Sequence, residues 1–241
     1  MSTYVLVHGA WHGAWSWDKV TALLEAKGHK VIAYDLPGHG EDKTPVVDQD
    51  LFSYARFIQK IVEEQDEPVI LAGHSLGGMM ISQAAEWIPE KIKKLVYVCA
   101  FLPSNGQSAD GETAFRVTNW EKMAEMGKVT MTEGGKVCAM NRDFAINGCF
   151  NDLTPEMAEK AFSLLCPEAV ASQYQNAELT EKFDTVPRVY IRCTLDQSVP
   201  PSLQDQMIAA KPCQKVYNLE SGHSPFWSTP EELAEILDME Q

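Results

Sequence analysis

Basic residues are the scarce class in this chain: 20 lysines and arginines stand against 34 aspartates and glutamates, a formal net charge of −14. Phosphate backbones are bound largely through Lys and Arg, so no nucleic-acid partner is expected, and an anionic membrane surface is disfavoured on the same ground. Long apolar runs are also missing; none approaches the roughly 20 residues that cross a bilayer as a helix. The first strand-like run begins at Tyr4, with no basic region, long apolar stretch or small-residue cleavage site before it. A cytoplasmic protein is therefore expected. The six cysteines (Cys99, Cys138, Cys149, Cys166, Cys193 and Cys213) show no C-x-x-C spacing, which excludes a zinc-ribbon pattern and predicts free thiols in a reducing compartment. Cys138 with Cys149 could pair in an oxidising compartment, whereas Cys99 and Cys193 sit in apolar runs and read as small buried residues. Internal repeats and low-complexity tracts are absent. What is present, 241 residues with 45% hydrophobic and 22% charged, suits one large domain, or one domain with an insertion, able to bury a sizeable core.

The elements alternate. Tyr4 to His8 reads as a strand, and a helix follows over about Trp17 to Ala26. Val31 to Tyr34 is a second strand, closed by the turn-rich Asp35-Leu36-Pro37-Gly38-His39-Gly40. A helix over Leu51 to Glu64 carries Phe52, Ala55, Ile58, Ile61 and Val62 at helical spacing. Val69 to Ala72 is a short continuous apolar run, as in a strand buried on both faces. Leu95 to Ala100 is a fourth strand. This order predicts an α/β fold, a mostly parallel sheet covered by helices on both faces. The rhythm then breaks. The next β-rich run, Arg188 to Cys193, comes only after residues 102–187, far more than a crossover needs. That segment keeps Trp120, Phe144, Phe150 and Phe162, so it reads as structured and not as linker. Lys128 to Met140 forms a hairpin turning at Gly134-Gly135, and Thr154 caps a helix opening on Pro155. The expected division is a core of residues 1–101 and 188–241, with 102–187 as an inserted cap. After it come a helix over Ser202 to Ala210, a strand at Lys215 to Leu219, and a final helix opened by the capping box Thr229-Pro230-Glu231-Glu232.

Chemistry concentrates at Gly73-His74-Ser75-Leu76-Gly77, a G-x-S-x-G match lying between an apolar strand and a helical pattern running toward Ile88. Strand, sharp turn and helix are the context of a nucleophile elbow, in which a strained serine is pushed into the open. A serine hydroxyl needs a general base, and the base needs an orienting acid, in the chain order serine, acid, histidine. Residues beyond the carboxyl ends of parallel strands are the place to look. Asp196 follows the Arg188–Cys193 run, and His223, the sole histidine after Ser75, follows the last strand. Asp205 falls inside a helix and Asp184 before a strand, so both are poorer acids. The oxyanion of a tetrahedral intermediate needs two donors: the N–H of Leu76, after the nucleophile, and that of Ala10 in the loop after the first strand. His74 is expected to pack or bond beneath the elbow, His8 to brace the oxyanion loop, and His29 to be solvated; His12 and His39 are loop residues that could approach the pocket, with a structural role the preferred reading. Gly9, Trp11, Trp120, Phe226 and Trp227 are candidates for the substrate pocket.

On Val5-Leu6-Val7-His8-Gly9-Ala10-Trp11-His12-Gly13-Ala14-Trp15, Asp35-Leu36-Pro37-Gly38-His39-Gly40, Gly73-His74-Ser75-Leu76-Gly77-Gly78, Asp196 and Ser221-Gly222-His223, the chain resembles the α/β-hydrolase superfamily. Within it, the His-Gly-Ala-x-His-Gly-Ala-Trp stretch is similar to the branch of plant methylesterases, hydroxynitrile lyases and bacterial esterases. The resemblance covers residues 4–101 and 188–238 and is loose between them; it implies a compact six-stranded sheet without the usual N-terminal hairpin. Lyases of the branch carry a threonine where this chain has Gly9, a lysine where it has Ser224, and Gly-Glu-Ser at the elbow where it has Gly-His-Ser. These differences imply a serine carboxylic-ester hydrolase acting on a small, largely apolar ester through an acyl-enzyme. Hydroxynitrile-lyase-like or other carbonyl chemistry on the same triad, and a ligand-binding receptor on a hydrolase fold, are the alternatives. No metal or organic cofactor is implied; the expected partner is the small-molecule ester, with a homodimer left open.

Overall fold

A computed structural model describes residues 1–110 and 119–241; residues 111–118 of the expected insertion lie outside it. The main sheet is built from β1 (Thr3–Val7), β2 (Lys30–Ala33), β3 (Val69–His74), β4 (Ile92–Val98), β8 (Arg188–Cys193) and β9 (Lys215–Leu219). Its spatial order is β2-β1-β3-β4-β8-β9, every pairing parallel. Side chains alternate across a strand, and the core divides accordingly. Val5, Val7, Leu71, Leu95 and Tyr97 face one layer with α2 (Leu51–Glu63) and α3 (Gly77–Trp87). Tyr4, Leu6, Ile70, Ala72, Val96 and Val98 face the other, with α1 (Asp18–Ala26) and α11 (Pro230–Met239). Of α2, the buried stripe is Leu51, Tyr54, Ala55, Ile58 and Val62, and its N-terminus is closed by a reciprocal Asp50–Ser53 capping box. Such a cap satisfies donors that the first turn leaves unpaired.

Between β4 and β8 the chain adds α4 (Trp120–Glu125), β5 (Val129–Thr132), β6 (Val137–Met140), α5 (Arg142–Gly148), α6 (Pro155–Ser163), β7 (Glu168–Ala169), α7 (Val170–Tyr174) and α8 (Glu181–Asp184). The hairpin β5–β6 is extended by β7 into a three-stranded antiparallel sheet, and Thr154 accepts from the Met157 N–H at the start of α6. After β8 follow α9 (Pro201–Ala210), β9, α10 (Pro225–Ser228) and α11. Among the described residues no helix is long and apolar enough to cross a membrane. All six cysteines are free, Cys138 and Cys149 included, and Cys99 and Cys193 are fully buried.

Two local expectations fail. Thr229 makes no side-chain cap on α11; α10 ends immediately before it, and the Thr229 hydroxyl donates back to the Pro225 carbonyl at 3.4 Å. His29 is buried, not solvated: its Nε2 meets Asp238 at 2.8 Å, and its Nδ1 accepts from the Ser2 N–H at 3.2 Å. Asp238 belongs to the last helix, so no local pattern announces the pair.

Candidate active site

The elbow is tight because its neighbours leave no room. A Cβ on Gly73 would lie 2.7 Å from the Gly77 carbonyl oxygen, and one on Gly77 would lie 2.8 Å from that of His8. Between them Ser75 takes φ 52°, a left-handed conformation that costs a non-glycine residue of order 1–3 kcal/mol. Backbone hydrogen bonds hold it there. The Ser75 N–H donates to the Val98 carbonyl (3.3 Å), and its own carbonyl accepts from Gly78 and Phe101 N–H, each at 3.0 Å. Among the described residues the Ser75 hydroxyl has no hydrogen-bond partner, and Ser75 lines a cavity of about 500 Å³.

His223, just beyond β9, lines the same cavity. Its Nδ1 meets Asp196 Oδ2 at 2.7 Å. A carboxylate only accepts, so Nδ1 carries the hydrogen and Nε2 is left to accept a proton. Asp196 is fully buried, and its Oδ1 accepts from the Ser198 and Val199 N–H groups at 2.7 and 2.8 Å. The Asp196 carboxylate is thus fixed by backbone on one side and by the His223 imidazole on the other.

The Ala10 and Leu76 residues line the cavity too, and among the described residues neither N–H has an acceptor. The Gly9–Ala10 loop is held by neutral imidazoles. His8 Nδ1 donates to the Gly9 carbonyl at 2.9 Å, and its Nε2 accepts from the Leu36 N–H at 3.1 Å. His12 Nδ1 donates to the Ala10 carbonyl at 2.7 Å. Burial drives the His8 pKa well below the ordinary value and that of His12 to about 4, so both stay uncharged. His74 donates through Nε2 to the His223 carbonyl at 2.7 Å, and burial, with His223 beside it, lowers its pKa strongly. A His74 ring nitrogen, Cys99 Sγ and a His223 ring nitrogen lie within 4.8 Å of one another. Cys99 also donates to the His223 carbonyl, so this trio is a hydrogen-bonded brace beneath the histidine.

Of the expected pocket residues, Trp11 and Trp120 line the cavity, their rings edge to face with centroids 5.8 Å apart. Gly9 lies behind the wall, where a Cβ would sit 2.7 Å from Ser75 Cβ and 2.9 Å from His74 Nδ1. Phe226 is a correction. It is fully buried and packs against His74, Trp17 and His12 at 4.9, 5.4 and 5.9 Å, because α10 carries it beneath the histidine and away from the cavity. Trp227 likewise faces Trp15. His39 turns to the buried Glu168 carboxylate at 3.0 Å, and Ser224 donates to the Cys149 carbonyl at 2.8 Å. Sequence reasoning missed Met123, Met126, Met140, Phe144 and Gln173 on the inserted side of the cavity and Gln197, Ser198 and Val199 on the other. The last three directly follow Asp196 and were open to inference; the methionines gave no signal.

Residues 4–236 match the family model described as "Alpha/beta hydrolase family". The chain is similar to Methylesterase 1 of Arabidopsis thaliana, 33% identical over 97% of this chain and 94% of that one. It is also similar to Salicylic acid-binding protein 2 of Nicotiana tabacum, 34% identical over 83% of this chain and 82% of that one. Among solved structures, polyneuridine aldehyde esterase superposes with a TM-score of 0.86 at 28% identity, covering 100% of both chains.

Proposed function

Since this chain belongs to the alpha/beta hydrolase family, we propose that it is a serine carboxylic-ester hydrolase acting on a small, largely apolar ester. The reading rests on one arrangement: Ser75 strained at the elbow and His223, paired with Asp196 at 2.7 Å, open into one cavity. Ser75 Oγ attacks the ester carbonyl while His223 Nε2 takes its proton, and the Ala10 and Leu76 N–H groups receive the oxyanion. Each such donor supports the transition state by about 3 kcal/mol. His223 returns the proton to the leaving alcohol, and water then hydrolyses the acyl-enzyme by the same route. Asp196 holds the imidazole in the accepting tautomer throughout. Trp11, Trp120, Met123, Met140 and Phe144 give the chamber its apolar walls, which favours an aromatic or branched aliphatic acyl group. The inserted segment serves as the cap that closes it.

A serine-reactive phosphonate followed by mass spectrometry tests the mechanism, together with a panel of esters beginning with methyl esters and grading outward in acyl and alcohol size. The adduct is expected on Ser75, and Ser75→Ala should abolish turnover. An adduct elsewhere refutes the reading. Cyanogenic cleavage is the weaker alternative: the threonine of lyases has no room at Gly9, and Ser224 is spent on Cys149. A ligand-binding role, which the name of one relative suggests for that relative, would show as tight binding without turnover.

A further inference from the structure

Three residues of the insertion, Cys149, Asn151 and Asp152, together touch both loops that carry the acid and the base. On the base side, Asp152 Oδ2 accepts from the Gly222 N–H at 2.5 Å and from Ser221 Oγ at 3.3 Å. The Cys149 carbonyl accepts from Ser224 Oγ at 2.8 Å. His223 is therefore gripped through the residue before it and the residue after it. On the acid side, Asn151 Nδ2 donates to the Leu195 carbonyl at 3.0 Å, and Cys149 Sγ lies 3.3 Å from Ser198 Oγ. Those contacts flank Asp196. The fit at Gly222 is close, since a Cβ there would fall 2.5 Å from Asp152 Oδ1 and 2.7 Å from Asn151 Oδ1. Among the described residues, Asp152 Oδ1 is buried without a hydrogen-bond partner. A carboxylate held with one oxygen unsatisfied is poorly explained by stability alone.

We propose that Asp152 is a positioning residue of the hydrolase: its carboxylate fixes the Gly222 N–H, and with it the backbone that aims His223 at Ser75 and Asp196. This rests on the hydrolase reading above. The geometry asks for an acceptor at the Oδ2 position, not for a charge there. Asp152→Ala should lower kcat about 10- to 100-fold, the scale of a misplaced catalytic group, with KM within about twofold. Asp152→Asn, which keeps an acceptor oxygen, should restore most of that loss. Thr154→Ala, which removes the α6 cap two residues on, should lower Tm and leave kcat unchanged.

A second readout is independent of turnover. The His223 Nδ1–H bonded to Asp196 gives a downfield proton resonance, expected in the wild type and in Asp152→Asn and shifted or broadened in Asp152→Ala. Wild-type kcat with an unchanged resonance in Asp152→Ala overturns the proposal, as does an Asp152→Asn variant as impaired as Asp152→Ala. If Asp152→Ala does not fold, Asp152→Glu carries the test: a fall in kcat at constant KM supports positioning, and wild-type kcat overturns it. Were the wild type to show no ester turnover and no Ser75 adduct, the hydrolase reading would fail while the resonance still decided whether Asp152 places His223.

Discussion

Replacing Asp196 by asparagine separates orientation of the base from packing of the site. The carboxylate accepts three hydrogen bonds: from His223 Nδ1 at 2.7 Å through Oδ2, and from the Ser198 and Val199 N–H groups at 2.7 and 2.8 Å through Oδ1. Asparagine offers one acceptor oxygen and one NH2. Turned toward Ser198 and Val199, the NH2 would leave two backbone donors unpaired, each costing about 1–3 kcal/mol. Turned toward His223, it meets a ring that adjusts by moving its hydrogen from Nδ1 to Nε2. The second orientation is favoured by at least about 2 kcal/mol on that count. In it, Nε2 presents a hydrogen to Ser75 and cannot take the serine's proton. The expected loss in kcat is on the order of 10⁴-fold, about 5.5 kcal/mol of barrier, with KM and unfolding free energy nearly unchanged. Asp196→Ala has no such escape: it leaves both N–H groups unpaired, losing about 2–6 kcal/mol of stability as well. Steady-state kinetics on a p-nitrophenyl ester, with urea unfolding of the three proteins, measures both quantities. An asparagine variant within tenfold of wild-type kcat would refute the orienting role. One destabilised as much as the alanine variant would refute the tautomer argument.

Three further outcomes follow from distances in the same region. Gly9→Ala puts a methyl 2.7 Å from Ser75 Cβ, so kcat should fall about 100-fold as the elbow shifts; unchanged kinetics would contradict the packing. At His39, burial lowers the pKa but the Glu168 carboxylate, 3.0 Å away, raises it overall. Between the unfolded value of about 6.5 and the raised folded one, the native state holds more protons than the unfolded, so this stabilisation is full below about pH 6.5 and lost as pH rises through the folded pKa. Urea unfolding of His39→Gln should show a deficit that shrinks above about pH 6.5, and a deficit constant across pH would count against the ion pair. Phe144→Ala should change kcat as well as KM, because Phe144 shares α5 with the chain leading into Cys149, whereas Met126→Ala, at the exposed rim, should change KM alone. Equal kinetic profiles for the two variants would break that link.

The sheet was legible because its signals are local. Four apolar residues ending in Gly73 read as a buried strand, and β3 is buried along its whole length. Chain order and strand ends sufficed to single out Asp196 and His223. Signals that depend on which way a short element turns were not legible. Phe226 stands three residues after His223 in sequence, but α10 rotates it under His74. The Thr-Pro-Glu-Glu pattern at Thr229 has the composition of a capping box, but a helix ending next to it takes the hydroxyl. His29 fails for a different reason, since its partner Asp238 is supplied by the far end of the chain.

The insertion was least legible, and the reason bears on how the site works. Its hairpin and the Thr154 cap could be read from turn chemistry, yet neither touches the candidate triad. The contacts that matter there come from a stretch with no periodicity: Phe144 on the cavity wall, then Cys149, Asn151 and Asp152 against the two loops. A wall residue needs only bulk, and a bracket residue needs only one acceptor or donor at one place. Neither requirement imposes a repeating pattern, so composition and spacing carry no trace of them. They are joined physically all the same. Helix α5 runs from the wall to the bracket within seven residues, too short to absorb a displacement by bending. On the proposed reading, a group pressing on Phe144 would press on the segment holding Gly222 and Leu195, and the shape of a bound ester is then expected to affect the alignment of His223 with Asp196.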